Sequence, residues 1–172
     1  MIETSNFRYK LEGKALIQKI PTPVKVLNID SRTGKINNAF YEKKSTVDYT
    51  GVYRGKFIAF DAKQTSVDTR FDLSNVKAHQ YSYLEGVHKQ KGISFLIIRF
   101  SNLDENYYLP FEILDEYWRA MEQGGRKSIP YGVVAKEEYR IKGRGLVLLD
   151  YLRVLEEVEL NINEHYEEVA SL

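Results

Sequence analysis

The chain contains no cysteine, which removes disulfide staples, thiolate metal sites and cysteine nucleophiles together and fits a reducing compartment. Proline is scarce: Pro21, Pro23, Pro110 and Pro130 are the four, each at an expected element boundary. No apolar run approaches the roughly 18 residues that span a membrane. The opening stretch, MIETSNFRYKLEGK, lacks the apolar core of a secretory leader. A cytoplasmic protein with no membrane partner is therefore expected. Internal repeats, low-complexity linkers and a Gly-rich phosphate loop are also missing. His88 and His165 are isolated, and no nucleophile–histidine–acid set is visible.

Net charge is nearly absent too, at +1, but its distribution is uneven. From Val147 onward seven acids stand against one base, Arg153, so residues 1–146 carry +7. A basic body with an acidic end is compatible with a polyanionic partner, and equally with a solvated acidic helix end. The 172 residues suit one domain able to bury about two-thirds of its unfolded surface.

Hydrophobic periodicity divides the chain into short elements. Ile2 to Lys10 reads as a helix, and Val24 to Ile29, β-branched and partly alternating, as a strand. Thr46 to Tyr53 and Lys56 to Lys63 read as two strands joined at Arg54-Gly55, a hairpin connection. In the second, Phe57, Ala59, Asp61 and Lys63 share one face. Leu73 to Val87 has helical spacing, and Ile93 to Phe100 is the apolar run of a central strand with Asn106 to Leu109 as its partner. Phe111 to Met121 forms a helix closed by Gly124-Gly125, and a last helix runs from about Val147 to Val158. This order predicts an α/β fold with a mixed sheet flanked by helices.

One constellation points to chemistry. Asp48, then Asp61 thirteen residues on, then Lys63, can meet on adjacent strands of the hairpin. Two carboxylates and a backbone carbonyl, for which Ala62 is the candidate, suffice for Mg²⁺, which takes oxygen ligands and keeps several waters. Such an ion polarises a phosphate and acidifies water, and a lysine beside it can stabilise developing negative charge. Spacing alone favours the plainer reading of a solvated ion pair on an alternating strand. The apolar residues on the face of Asp61, and an acid at Asp48 with no structural need for it, move the balance towards a metal site.

The run Thr46-Val-Asp48-Tyr-Thr-Gly51-Val-Tyr53-Arg-Gly55-Lys-Phe-Ile-Ala-Phe-Asp61-Ala-Lys63 resembles the core of RecU-type Holliday junction resolvases. So do Pro21-Thr-Pro23-Val upstream, and Phe71-Asp-Leu-Ser-Asn75, His79-Gln80 and Gly125-Arg-Lys-Ser-Ile129 downstream, in the family's order over roughly residues 2 to 155. The resemblance implies a restriction-endonuclease-like fold, a homodimer, and paired nicking of four-way junction DNA with Mg²⁺, for which Mn²⁺ can substitute. It assigns Thr46, Asp48, Asp61 and Gln80 to the metal site, and Lys63 to transition-state stabilisation beside the catalytic Asp48 and Asp61. Gln80, taken without the resemblance, is an ordinary helix residue. Residues 31–44 correspond to a protruding stalk that enters the junction. There Phe40 and Tyr41 could stack on bases or make an apolar dimer contact. Arg32, Lys35, Lys43, Lys44, Arg54, Arg70, Arg126 and Lys127 are the candidate phosphate contacts, each with a plain surface base as the alternative.

Departures mark a diverged member, of the kind a phage or mobile element encodes. The family has Glu where this chain has the shorter Asp61, the stalk is a few residues short, and Glu3 is the only acid within the first helix, Ile2 to Lys10. Residues 161–172 have no counterpart and read as an acidic tail. The readings left open are a resolvase that also works with recombination proteins, a less selective branched-DNA nuclease of the same fold, and a junction-binding module that has lost cleavage.

Overall fold

The computed structural model describes residues 1–22, 24–41 and 46–159. Its centre is a five-stranded sheet in the order β1 (Ala15–Lys19), β4 (Tyr49–Tyr53), β5 (Lys56–Thr65), β7 (Ile93–Phe100), β8 (Glu105–Pro110). Only β5 and β7 run parallel; every other neighbouring pair is antiparallel. A parallel pair needs a crossover, and α2 (Ala78–Lys89) supplies it. This mixed sheet flanked by helices is the restriction-endonuclease-like arrangement expected.

Strand alternation sends the two faces of β5 to different layers. Phe60 stacks between Tyr49 at 4.8 Å and Phe95 at 4.7 Å, and Phe95 meets Tyr108 at 4.5 Å. This four-ring ladder crosses β4, β5, β7 and β8, each pair contributing about 0.5–1.5 kcal/mol beyond its buried area. Tyr151 covers it from α5 (residues 151–159), with Tyr9 of α1 (Ile2–Leu11) set edge-on against Tyr151 at 5.3 Å. The opposite face, bearing Asp61 and Lys63, lies under α2, which α3 (Phe111–Glu122) buttresses through Tyr81 stacked on Trp118 at 4.5 Å. A strip of β6 (Arg70–Asp72) with β9 (Ser128–Pro130) leads into the short α4 (Tyr131–Val134).

Apart from this body, β2 (Val24–Ile29) pairs with β3 (Ile36–Tyr41) in a separate hairpin, with every residue of β2 exposed. It overlaps the segment read from the sequence as a stalk, residues 31–44, and begins earlier, at Val24. Lys43, Lys44 and the tail 161–172 lie outside the described residues, as do the side chains of Phe40 and Tyr41.

Three differences from the sequence reading have local causes. The first strand of the 46–65 hairpin begins at Tyr49, because the Asp48 amide turns to the Asp61 carboxylate. The segment from Leu73 splits into a 3-10 turn, Leu73–Asn75, and α2, since Val76 and Lys77 are extended. The last helix begins at residue 151, as the Leu149 amide is held by Ser5 Oγ at 2.9 Å. Strand β1 was not anticipated.

Candidate active site

Register brings the two acids together. Strands β4 and β5 are joined by Arg54 and Gly55, both at positive φ (47° and 76°), the two-residue turn whose twist suits a hairpin. Pairing runs from Tyr53↔Lys56 to Tyr49↔Phe60, which leaves Asp48 beside Asp61. There side chains take over from the ladder. The Asp48 amide donates to Asp61 Oδ1 at 2.9 Å, and the Ala62 amide donates to Asp48 Oδ2 at 3.1 Å. Each carboxylate is fixed by the other's strand, while the Asp48 carbonyl accepts the Ile20 amide at 2.8 Å.

Asp61 is wholly buried, an expensive place for a charge without partners. Burial pushes its carboxyl up to about 6; Asp48 adds to the rise and Lys63 opposes it. The Lys63 ammonium forms an ion pair with Asp61 Oδ2. It also donates to Gln80 Oε1 at 3.0 Å, and that same oxygen accepts the Lys77 amide at 3.1 Å. Gln80, buried in the first turn of α2, thus closes the helix end and grips the lysine at once. The structure brings Asp48, Asp61, Lys63 and Gln80 together. Thr46 lies two residues before Asp48, exposed, on the wall of a cleft of about 800 Å³ shared with Phe57, His79 and Tyr83.

The donor set fits a hard divalent cation. Asp61 Oδ2 is buried and accepts no hydrogen bond among the described residues, Lys63 meeting it as an ion pair. Asp48 lies alongside, and all candidate ligand atoms are oxygens, the preference of Mg²⁺ and Mn²⁺. No group of three or more His, Cys, Asp or Glu side chains suited to a metal occurs among the described residues. Water would therefore complete the coordination, as Mg²⁺ favours.

The basic candidates are scattered. Arg32 and Lys35 are exposed at the tip of the β2–β3 hairpin, where Asp30 Oδ1 accepts the Arg32 and Thr33 amides at 2.8 and 3.1 Å. Arg54 sits at the end of the β4–β5 hairpin away from Asp48 and pairs with Glu156 at 3.0 Å. Arg70 pairs with Asp72 at 2.8 Å, Arg126 donates to Ser128 Oγ at 3.0 Å, and Lys127 is exposed. Lys19 carries no sequence signal of its own. It lies across from Tyr49, next to Asp48, and pairs with Glu3 at 2.9 Å. The hydrogen bond from Lys19 holds the Glu3 carboxyl below its usual value. Only recognition of β1 as a strand would have placed it.

Comparison with known proteins adds a family. The family described as "Recombination protein U" matches residues 1–157. A "Holliday junction resolvase RecU" of Pediococcus pentosaceus is 38% identical over 164 residues, 94% of this chain and 82% of that protein. Proteins of the same name from Staphylococcus carnosus (39% over 166 residues, 95% and 80%) and Oenococcus oeni (38% over 161 residues, 92% and 82%) are similarly close. The chain matches each of them along most of its length.

Proposed function

The chain belongs to the recombination protein U family, and we propose that it resolves four-way DNA junctions as a metal-dependent endonuclease. The observation that carries this reading is the reciprocal clamp of Asp48 and Asp61, with Lys63 set against it by Gln80. In this reading Asp48 and Asp61 hold Mg²⁺, or Mn²⁺ in its place, with Thr46 and Gln80 at the margin of the site. When bound, the ion supplies Lewis acidity at the scissile phosphate and lowers the pKa of water. Hydrolysis forms a bond from water oxygen to phosphorus as the bond to the leaving deoxyribose oxygen breaks. Negative charge gathers on the non-bridging oxygens, and Lys63 stabilises it from a fixed position. Gln80 orients that ammonium beside Asp61 by accepting a hydrogen bond from it.

A four-way junction has two-fold symmetry, which a homodimer matches. Leu16, Val52 and Phe57, consecutive cross-strand partners on β1, β4 and β5, form an exposed apolar row (59, 48 and 44% accessible) that supports contact with a second copy. The β2–β3 hairpin, with Arg32 and Lys35 at its tip, is the element to enter the junction, and Phe40 and Tyr41 are proposed to stack on unpaired bases. Lys43, Lys44, Arg54, Arg70, Arg126 and Lys127 are proposed phosphate contacts. The setting proposed is cytoplasmic DNA recombination and repair, with recombination proteins as further partners; no helix among the described residues is long and apolar enough to cross a membrane.

The test is cleavage of a fixed four-way junction, a flap and a linear duplex in Mg²⁺, Mn²⁺ and EDTA. Paired nicks confined to the junction and dependent on metal are expected. Asp48→Ala and Lys63→Ala should lose cutting and keep junction binding. Undiminished cutting by either variant would remove the site assignment, and equal rates on duplex would remove junction selectivity.

A further inference from the structure

A second cleft, of about 640 Å³, opens beside Lys63 on the opposite side of β5 and is floored by Ala62 and Ile97. Three polar side chains line it in one cross-strand row: Gln64 of β5 stands across from Arg99 of β7, and Arg99 across from Asn106 of β8. The row lies one position beyond the pair Lys63↔Ile98, which separates the backbones of Lys63 and Arg99 by about 6 Å. The Arg99 guanidinium is held from one side. Its Nη2 donates to Asp104 Oδ1 at 2.8 Å and its Nη1 approaches Met1 Sδ at 3.9 Å. Its Nε is buried and finds no hydrogen-bond partner among the described residues. Sealed in this way, Nε meets no ligand itself; on the Arg99 side chain, 37% accessible, the donor capacity open to the cleft is at Nη1, whose partner is the weak acceptor Met1 Sδ. The acid on the cleft wall, Glu3, is already paired with Lys19.

We propose that this cleft binds a backbone phosphate of the strand being cut, flanking the scissile one. Arg99 acts there as a positioning residue, with Gln64 and Asn106 donating their amides to the same phosphate group or its sugar. The inference rests on the nuclease reading above. Arg99 touches no reacting atom; it sets where along the strand the phosphate before Lys63 falls. A planar guanidinium suits this task, because its fork fixes the direction of the phosphate as well as its distance.

The experiment pairs Arg99→Gln with junctions carrying a single neutral methylphosphonate at the first, second or third linkage on either side of the cut. Loss of one charged hydrogen bond corresponds to about a tenfold effect. Arg99→Gln should therefore raise KM on the native junction about tenfold, with a smaller fall in kcat from the looser placement of the phosphate before Lys63. One methylphosphonate position should impose the same loss on the parent chain, and Arg99→Gln should lose nothing further on that substrate. Losses that multiply at every position would overturn the proposal, as would an Arg99→Gln variant with native KM. An equal loss in Asp104→Asn, with methylphosphonate sensitivity retained in Arg99→Gln, would also overturn it, by assigning Arg99 to the Asp104 ion pair alone. The same cycle is read as junction Kd in EDTA. If the chain binds junctions without cutting them, the nuclease reading fails while the non-additive Kd still supports the phosphate site. A chain that neither binds nor cuts defeats both.

Discussion

Asp48 and Asp61 hold each other in place: the Asp48 amide donates to Asp61 Oδ1 at 2.9 Å, and the Asp48 carboxylate accepts the amide of Ala62, next to Asp61, at 3.1 Å. Two like charges brought this close repel, yet each is anchored by a backbone donor on the other's strand. The pair is therefore fixed by the fold itself, with the Lys63 ammonium already set against Asp61, and a bound divalent cation would offset the rest of the repulsion.

Removing the grip on Lys63 should slow chemistry more than binding. Gln80→Ala takes away the acceptor at 3.0 Å from Lys63 Nζ. A hydrogen bond to a charged group is worth about 1.5–3 kcal/mol, so kcat on a four-way junction should fall roughly 10- to 100-fold. Junction Kd in EDTA should stay near the parent value. An unchanged kcat would show that the lysine needs no such support.

The protonation of Asp61 gives a signed pH dependence in metal-stripped protein. Its folded pKa, about 6, lies above its ordinary value of 3.8. Its contribution to stability is thus full below the ordinary value and lost as pH rises through about 6. Carboxyls held low by partners, such as Glu105 by Tyr131 and Glu137 by Lys142, slope the other way, so the difference between variant and parent is the measure. In EDTA, Asp61→Asn should gain Tm relative to the parent between pH 4 and about 6.5, and magnesium should stabilise only the parent. A pH-independent difference would contradict the assignment.

The exposed apolar row should carry self-association. Val52→Asp places a charge between Leu16 and Phe57, its partners on either side. Sedimentation should then show a dimer for the parent and a monomer for the variant, and paired nicks should become single, unsynchronised ones. Identical sedimentation of variant and parent would move the interface elsewhere.

Gly51→Ala tests how tightly β1 is laid on β4. A Cβ there would stand 2.1 Å from the Leu16 carbonyl oxygen, a backbone atom that cannot swing aside. Overpacking of this kind costs about 1–3 kcal/mol, which should lower Tm by several degrees in thermal unfolding. Protein that remains folded should keep its metal requirement.

Much of the fold was legible where periodicity was strong. Ile93 to Phe100 announces a buried central strand, and β5 alternates clearly enough to put Asp61 and Lys63 on one face. Strand β1 was illegible because it is only five residues long and its exposed position 16 carries an apolar Leu16, which breaks the polar-out alternation. The break at Val76 and Lys77 was hidden because α2 and the preceding turn carry apolar residues at compatible spacing. For the candidate site, spacing alone favoured a solvated ion pair; the apolar face around Asp61 and the family resemblance drew Asp48, Asp61 and Lys63 together, and the resemblance added Thr46 and Gln80. The double bond accepted by Gln80 Oε1 could not be read, since it depends on where α2 lands on the sheet. Arg99 was invisible for the same reason: its partners Gln64 and Asn106 become neighbours only through register.

The tight turn at Arg54-Gly55 makes the acidic pair a matter of counting. Because a strand's side chains alternate, one extra residue in that turn would exchange Asp61 with its neighbours Phe60 or Ala62 opposite Asp48 and turn the carboxylate towards the aromatic layer. Composition, charge and most packing residues would survive such an insertion, yet the site would be gone. Substitutions at the packing residues of this hairpin are therefore graded in their effect, whereas a change in its length is all or nothing.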